Sequence, residues 1–329
     1  PVIQQGTRAY VVAASLVALW NYVEVLHLTI NMRLHNPSLS QQAKDELAEF
    51  AKWVLDIGEG RVPMDRRQGE VEKTWIQIPE ELLLTPHGDK ITTIIDAVYP
   101  DFQTNYDCIP YLAQRAIVCL VNAVVDEVND MMLAKVPGEA KDYLSNDTIA
   151  NTLEKAADFD LLYPIEFLNS ISINNFPEHH ISLKIGSAVV LLRNINQSLG
   201  LCNGTRLLVT RLGDFIFEGK IMTGTNIGQL VCIPRIVLSG NSPKWPFTLQ
   251  RRQFPIRLCY AMTINKCQGQ TLGNVGVYLK NPVFTHGQLY VAVSRATSKE
   301  GLKLLIEDDD GNPCSTTKNI VYNEILSLL

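Results

Sequence analysis

The sequence predicts an α/β protein interrupted by a β-rich insertion, and three observations carry that prediction. Helix-like and strand-like segments alternate over residues 1–178 and again over 251–329. Between them, over 179–250, short β-branched runs follow one another with turn residues at each break. Of the 329 residues, 46% are hydrophobic and 19% charged, enough apolar material for two cores and too little charge for a chain disordered on a large scale.

The elements follow in order. Residues 7–22 have helical spacing and lead to a strand over 23–28, whose β-branched alternation ends at the turn Asn31-Met-Arg33. Leu47, Phe50, Ala51 and Val54 share one face of a helix expected over 40–55, capped by Ser38 or Ser40 and ended by Gly58-Glu-Gly60. Residues 61–80 are charged and punctuated by proline, an exposed connection that ends in a strand over 75–78. A helix is expected over 91–98 and a strand over 116–121, after which helical spacing runs from Asn122 through Val125 and Val128. From Phe176 the period changes. Strands are expected over 187–192, 206–212, 215–222, 229–233 and 236–238, and five short strands imply a small barrel. Asn203-Gly204 and Gly213-Asp214 supply the turns. After Gln253 the α/β pattern resumes: a strand to Ala261, a helix near Lys266, a strand over 275–279, a helix over 285–296 and a strand over 302–306.

Composition removes several function classes. Lys plus Arg is 29 and Asp plus Glu 34, so 29 minus 34 gives a net charge of −5, which excludes a globally basic nucleic-acid binder and confines any such surface to a local patch. Seven cysteines form no C-x-x-C pair, and an odd count without a secretory signal favours reduced thiols. The six histidines also lack ligand spacing, so no metal site is expected. The apolar stretch over 10–20 is too short to span a bilayer and lacks a signal-peptide flank. A soluble protein without membrane contact is expected.

Two linked motifs carry the chemistry. Ala261-Met-Thr-Ile-Asn-Lys-Cys-Gln-Gly-Gln-Thr271 places Thr, Lys and a Gln-Gly pair directly after an apolar run, and Gln288-Leu-Tyr-Val-Ala-Val-Ser-Arg-Ala296 sets an arginine before the last strand. Together they resemble the last two motifs of superfamily 1 helicases. The branch they resemble comprises the petite integration frequency helicases with RecD and the Helitron-transposon helicases. Leu28-Thr-Ile-Asn-Met-Arg-Leu34 looks like that family's arginine-bearing motif. Leu183-Lys-Ile-Gly-Ser-Ala-Val-Val-Leu-Leu-Arg-Asn194 with Gly200-Leu-Cys-Asn-Gly-Thr-Arg206 looks like the entry to its inserted barrel.

The resemblance implies a second RecA-like motor domain, of P-loop-NTPase type without its own P-loop, carrying a Src-homology-3-like β-barrel of the 2B type. It implies that Arg295 and Arg33 are catalytic, since a rigid guanidinium stabilises charge developed on a transferred phosphoryl group. Gln268 and Gly269 would couple ATP to DNA. Thr263, Lys266, Asn122, Thr205 and Arg206 would contact nucleic acid, with Trp245 available for stacking. The family has His where Asn265 stands and Ser where Cys267 stands, which removes an imidazole and a hydroxyl from this motif. ATP and Mg2+ are the implied cofactors. Single-stranded DNA, DNA forks and a preceding RecA-like domain are the implied partners. The implied work is 5′ to 3′ unwinding in repair, recombination, telomere maintenance or Helitron transposition, in the nucleus or mitochondrion.

No stretch fits G-x-x-x-x-G-K-[ST], and Gly219-Lys220 is followed by Ile in an expected hairpin. Asn122-Ala-Val-Val-Asp-Glu127 imitates a magnesium-binding strand end, but its helical spacing argues against that role. The chain begins at Pro1 without an initiator Met, so the expectation is the carboxy-terminal half of a larger protein, inactive as an ATPase in isolation. The alternative is a nucleic-acid-binding remnant without turnover; a protein-interaction module built on the barrel is the third reading.

Overall fold

The structure, a computed structural model, describes residues 24, 26, 40–86, 88–150, 162–243 and 245–322. The helix expected over 7–22, most of the strand expected over 23–28, and Arg33 lie outside the described residues. In chain order the elements used below are α1 (Gln41–Gly58), β1 (Trp75–Gln77), α2 (Lys90–Val98), α3 (Phe102–Asn105), α4 (Ile109–Ala113), β2 (Arg115–Cys119) and α5 (Asn122–Lys135). There follow β3 (Lys141–Leu144), β4 (Asn146–Ile149), α6 (Ile165–Ser170), β5 (His180–Leu183), β6 (Ala188–Leu191), β7 (Arg206–Leu212), β8 (Ile216–Ile221) and β9 (Leu230–Pro234). The last are β10 (Ile236–Gly240), β11 (Leu249–Gln253), β12 (Ile256–Leu258), β13 (Ala261–Thr263), β14 (Asn274–Leu279), α7 (Gln288–Val293), β15 (Leu302–Ile306) and β16 (Thr316–Lys318).

Two compact units emerge, one of residues 1–100, 114–126 and 261–329, the other of 101–113 and 127–260. In the first, four parallel strands lie in the order β13-β2-β14-β15. Ala116, Ile117, Val118 and Cys119 of β2 are all fully buried, as a central parallel strand covered on both faces requires. α1 starts at Ser40, whose hydroxyl accepts from the Ala43 amide at 3.2 Å, and buries Phe50, Val54 and Ile57. α2 is capped by Asp89, whose carboxylate accepts from the Thr92 amide at 2.7 Å. Its Val98 lies so close to β14 that a Cβ on Gly276 would meet Val98 Cγ2 at 2.5 Å; glycine is what lets this helix approach the sheet.

The second unit holds a five-stranded antiparallel sheet in the order β12-β6-β7-β8-β9. Phe254 stands edge-on to Phe217 and Tyr143 in its core. The expected strands correspond to β6 through β10, but the fifth place in the sheet is taken by β12. β10 pairs instead with β11 in a separate sheet, β10-β11-β4. The physical reason is on β11: Arg251, fully buried, grips the buried Asp147 of β4 through Nε at 2.9 Å and Nη2 at 2.7 Å. It also donates to the Leu168, Ile171 and Pro177 carbonyls. A buried charge so fully satisfied fixes which strands pair. The compact unit is therefore wider than the 179–250 read from the sequence. β12 and β9 stand at opposite edges and do not pair among the described residues, so the pairing gives an open five-stranded sheet and does not establish a Src-homology-3-like barrel.

Candidate functional site

The segments bearing the two motifs lie in the first unit, and the parallel topology decides where their side chains go. β13 and β2 run the same way with Thr263 opposite Cys119, so Thr263 and the start of α5 at Asn122 share the carboxyl edge of the sheet. Open α/β sheets bind ligands at that edge. Asn122 is exposed there, the first residue of α5. Because α5 begins at Asn122, Asp126 and Glu127 are helical and do not form a strand-end pair.

β14 is also parallel to β2 but begins opposite Arg115, so residues 264–273 must carry the chain from the carboxyl edge back to the amino edge. The sequence places a helix near Lys266; the structure places a tight turn there instead. The Thr263 carbonyl accepts from the amides of Lys266 (2.9 Å) and Cys267 (3.2 Å), and the Cys267 carbonyl accepts from Gln270 N (3.1 Å). Gly269 then takes φ +83°, a left-handed conformation that ends any helical continuation. Gln268 and Gly269 are exposed, and Thr263 and Lys266 half-buried. Cys267 points inward and donates its Sγ proton to the Ile264 carbonyl at 3.0 Å. Burial pushes its thiol up to about 12, the Arg295 charge opposing, so it stays a neutral donor inside the turn.

Arg295 lies two residues beyond α7, beside the other end of this connection. Its Nε donates to the Val291 carbonyl at 2.9 Å, Nη1 to the Gln270 carbonyl at 2.9 Å and Nη2 to Ser294 Oγ at 2.8 Å. A guanidinium has five N–H donors; three are used, so five minus three leaves two for a ligand. The site residues therefore form two groups joined by one turn, Asn122, Thr263, Lys266, Gln268 and Gly269 towards the carboxyl edge and Arg295 where the chain enters β14. Sequence reasoning did not identify Ser294 or the Gln270 carbonyl. The first was visible as the residue before the arginine, while a backbone acceptor leaves no residue-type signal.

Thr205 and Arg206, in the second unit, depart from expectation. Arg206 is 1% exposed and its guanidinium donates to Cys259 Sγ and to the Cys259 and Ala113 carbonyls. Thr205 is 9% exposed and its hydroxyl donates to the Gly200 carbonyl while accepting from Cys202 N. Both face inward and close the strand entry, so neither offers the expected nucleic-acid contact. Trp245 packs against Phe167 and Phe247. Among the described residues no group of three or more His, Cys, Asp or Glu is arranged to hold a metal ion, and no helix is long and apolar enough to cross a membrane.

Comparison with known proteins shows what the chain is similar to. The family profile "PIF1-like helicase" matches residues 1–68 and "DNA helicase Pif1, 2B domain" matches residues 166–212. The human ATP-dependent DNA helicase PIF1 is 28% identical over 242 residues, covering 72% of this chain and 33% of that protein. ATP-dependent DNA helicase PIF6 of Trypanosoma brucei brucei is 33% identical over 131 residues, covering 39% of this chain and 16% of that protein. The crystal structure of Pif1 helicase from Candida albicans is similar with a TM-score of 0.46 at 21% identity, over 72% of this chain and 55% of that one. The chain thus spans about a third or less of the length of these two relatives. What it resembles is the carboxy-terminal half of Pif1-like helicases.

Proposed function

We infer that this Pif1-like chain is the carboxy-terminal motor part of an ATP-dependent DNA helicase, and that the unit containing the parallel sheet is its second RecA-like domain. The observation that supports this best is the connection over 264–273, which carries an exposed Gln268-Gly269 turn on one side and meets the Arg295 guanidinium on the other. In this reading Thr263, Lys266 and Asn122 hold the backbone of single-stranded DNA at the carboxyl edge of the sheet, where hydroxyl, ammonium and amide groups suit phosphate oxygens. Gln268 hydrogen-bonds between DNA and nucleotide. Arg295, joined by Arg33, reaches the phosphates of an ATP held mainly by a preceding domain, together with its Mg2+. The two unspent N–H donors of Arg295 fit a phosphate oxygen pair. ATP supplies the free energy of phosphoryl transfer to water, and this chain's part is to bring a cation to where charge develops.

The family resemblance supports the remaining detail: 5′ to 3′ unwinding of forked DNA in repair, recombination, telomere maintenance or Helitron transposition, in the nucleus or mitochondrion. The test is binding of labelled oligothymidylate to the 329-residue chain by fluorescence anisotropy. Saturable binding weakened by Lys266→Ala and Thr263→Val is expected; equal affinity in both variants would sink the assignment. A second reading, a binding remnant without turnover, is favoured by Asn265, exposed where the family has His. DNA-stimulated ATPase in the native protein from its source would exclude it.

A further inference from the structure

The tethers on Arg295 differ in what anchors them. The backbone of Arg295 is fixed to Leu272, whose amide donates to the Arg295 carbonyl at 3.0 Å, while Leu272 in turn accepts from Thr297 N. Its side chain is fixed to Gln270, two residues earlier and on the other side of the exposed Thr271. Gln270 belongs to the turn: its amide bonds to Cys267, and its carbonyl is the acceptor for Nη1. Gly269, immediately before it, has open space around its Cα, with nothing within 4 Å of a built Cβ. Gln270 thus connects the exposed Gln268-Gly269 turn to the guanidinium, while the Arg295 backbone is held separately at Leu272.

Ser294 supplies the other side of this hold. Its hydroxyl donates to the Val291 carbonyl at 3.2 Å, which commits the proton and turns the lone pairs of Oγ towards Arg295 Nη2 at 2.8 Å. We propose that Ser294 and the Gln270 carbonyl are positioning groups that stow the Arg295 guanidinium, and that single-stranded DNA seated on the turn withdraws the Gln270 carbonyl and frees the arginine for the nucleotide. The release rests on the functional reading above. The stowing does not, because it stands on contacts among this chain's own residues alone.

The test uses the 329-residue chain labelled with nitrogen-15, following the Arg295 Nη–H resonances, whose partners are the Gln270 carbonyl and Ser294 Oγ, assigned by their loss in Arg295→Lys. Ser294→Thr keeps the hydroxyl and Ser294→Val has the same shape without it. Loss of one hydrogen bond to a charged group makes solvent exchange of the Arg295 guanidinium about fivefold faster or more in Ser294→Val, with the wild-type rate restored in Ser294→Thr. Equal exchange in the two variants would overturn the positioning role. Oligothymidylate is expected to shift the Gly269 amide and to speed Arg295 exchange together. A shift at Gly269 with Arg295 unmoved would overturn the release alone, whereas no response anywhere over 263–270 would overturn both the release and the functional reading. Should Ser294→Val fold poorly, Ser294→Ala gives the same comparison with Ser294→Thr.

Discussion

At the scale of single residues, Arg295 and His286 show how a neighbourhood sets a role. The function of Arg295 is decided by what holds its guanidinium. Replacement by alanine in the native protein is expected to reduce ATP turnover by roughly a thousandfold without weakening oligothymidylate binding, since no DNA contact is assigned to it and its bond to the Gln270 carbonyl opposes the movement that DNA is proposed to cause. Turnover and anisotropy measured on one preparation check both halves. His286 stacks on Tyr322, and its Nδ1 accepts from the Tyr322 amide at 3.0 Å. Burial holds its pKa below the usual 6.5, a hydrogen bond to Ile320 opposing. The folded chain thus binds fewer protons here than the unfolded one, so the stabilisation is complete above the unfolded value and is lost as pH falls through the lowered folded value. Thermal melts should drop between pH 7.5 and 5.5, and drop less in His286→Gln; identical slopes would remove His286 from the account. Both residues sit in the Thr285 to Ala296 stretch, where the motif was readable, yet the acceptors around Arg295 were not, because two of the three are main-chain carbonyls.

Among the elements, those whose partners are near in sequence or whose burial is two-sided were read closely. β7 has the bounds 206–212 and β15 the bounds 302–306 that apolar runs predicted, and the Ser40 cap opens α1 as its residue type requires. Two elements were misread for physical reasons. Ile264 and Cys267 are both buried, and their i,i+3 spacing imitates a helix face, but a left-handed Gly269 stops the chain after one turn. The exchange of β10 for β12 depends on the Arg251–Asp147 pair, 104 positions apart, which no local period can reveal. Breaking that pair tests its weight: Arg251→Met leaves the Asp147 carboxylate buried without its guanidinium, and a cost of about 3–5 kcal/mol is expected, read as a lower urea midpoint. Gly276→Ala should cost about 1–3 kcal/mol, because the added methyl meets Val98 and Ile94 in a packed core. Gly269→Ala meets no neighbour and carries a left-handed strain of about 1–2 kcal/mol alone. A larger loss for Gly269→Ala than for Gly276→Ala would contradict this ordering.

For the whole molecule, the net charge of −5 sets the form that nucleic-acid binding must take. A basic protein gathers DNA through many phosphates, and its affinity collapses with salt. A mildly acidic one repels DNA at long range and binds through a few placed groups. In the parallel-sheet unit the candidate contacts are Thr263, Lys266, Gln268 and Asn122, a set with one full positive charge, while Arg206 of the other unit is buried and withdrawn from the count. Each neutralised phosphate of a single strand contributes roughly −0.7 to the slope of log affinity against log salt. The 329-residue chain should therefore bind oligothymidylate with a shallow slope of about −0.7, and Lys266→Ala should bring it close to zero. Anisotropy titrations across a salt series measure this directly. A steep slope that Lys266→Ala leaves untouched would mean that binding uses another surface, and the carboxyl edge of the parallel sheet would lose its assignment even if the chain binds DNA tightly. A shallow slope that Lys266→Ala flattens, with Gln268→Ala lowering affinity at constant slope, would separate the charged contact from the neutral one. It would also place both on the turn that ends at Gln270, where Arg295 is held.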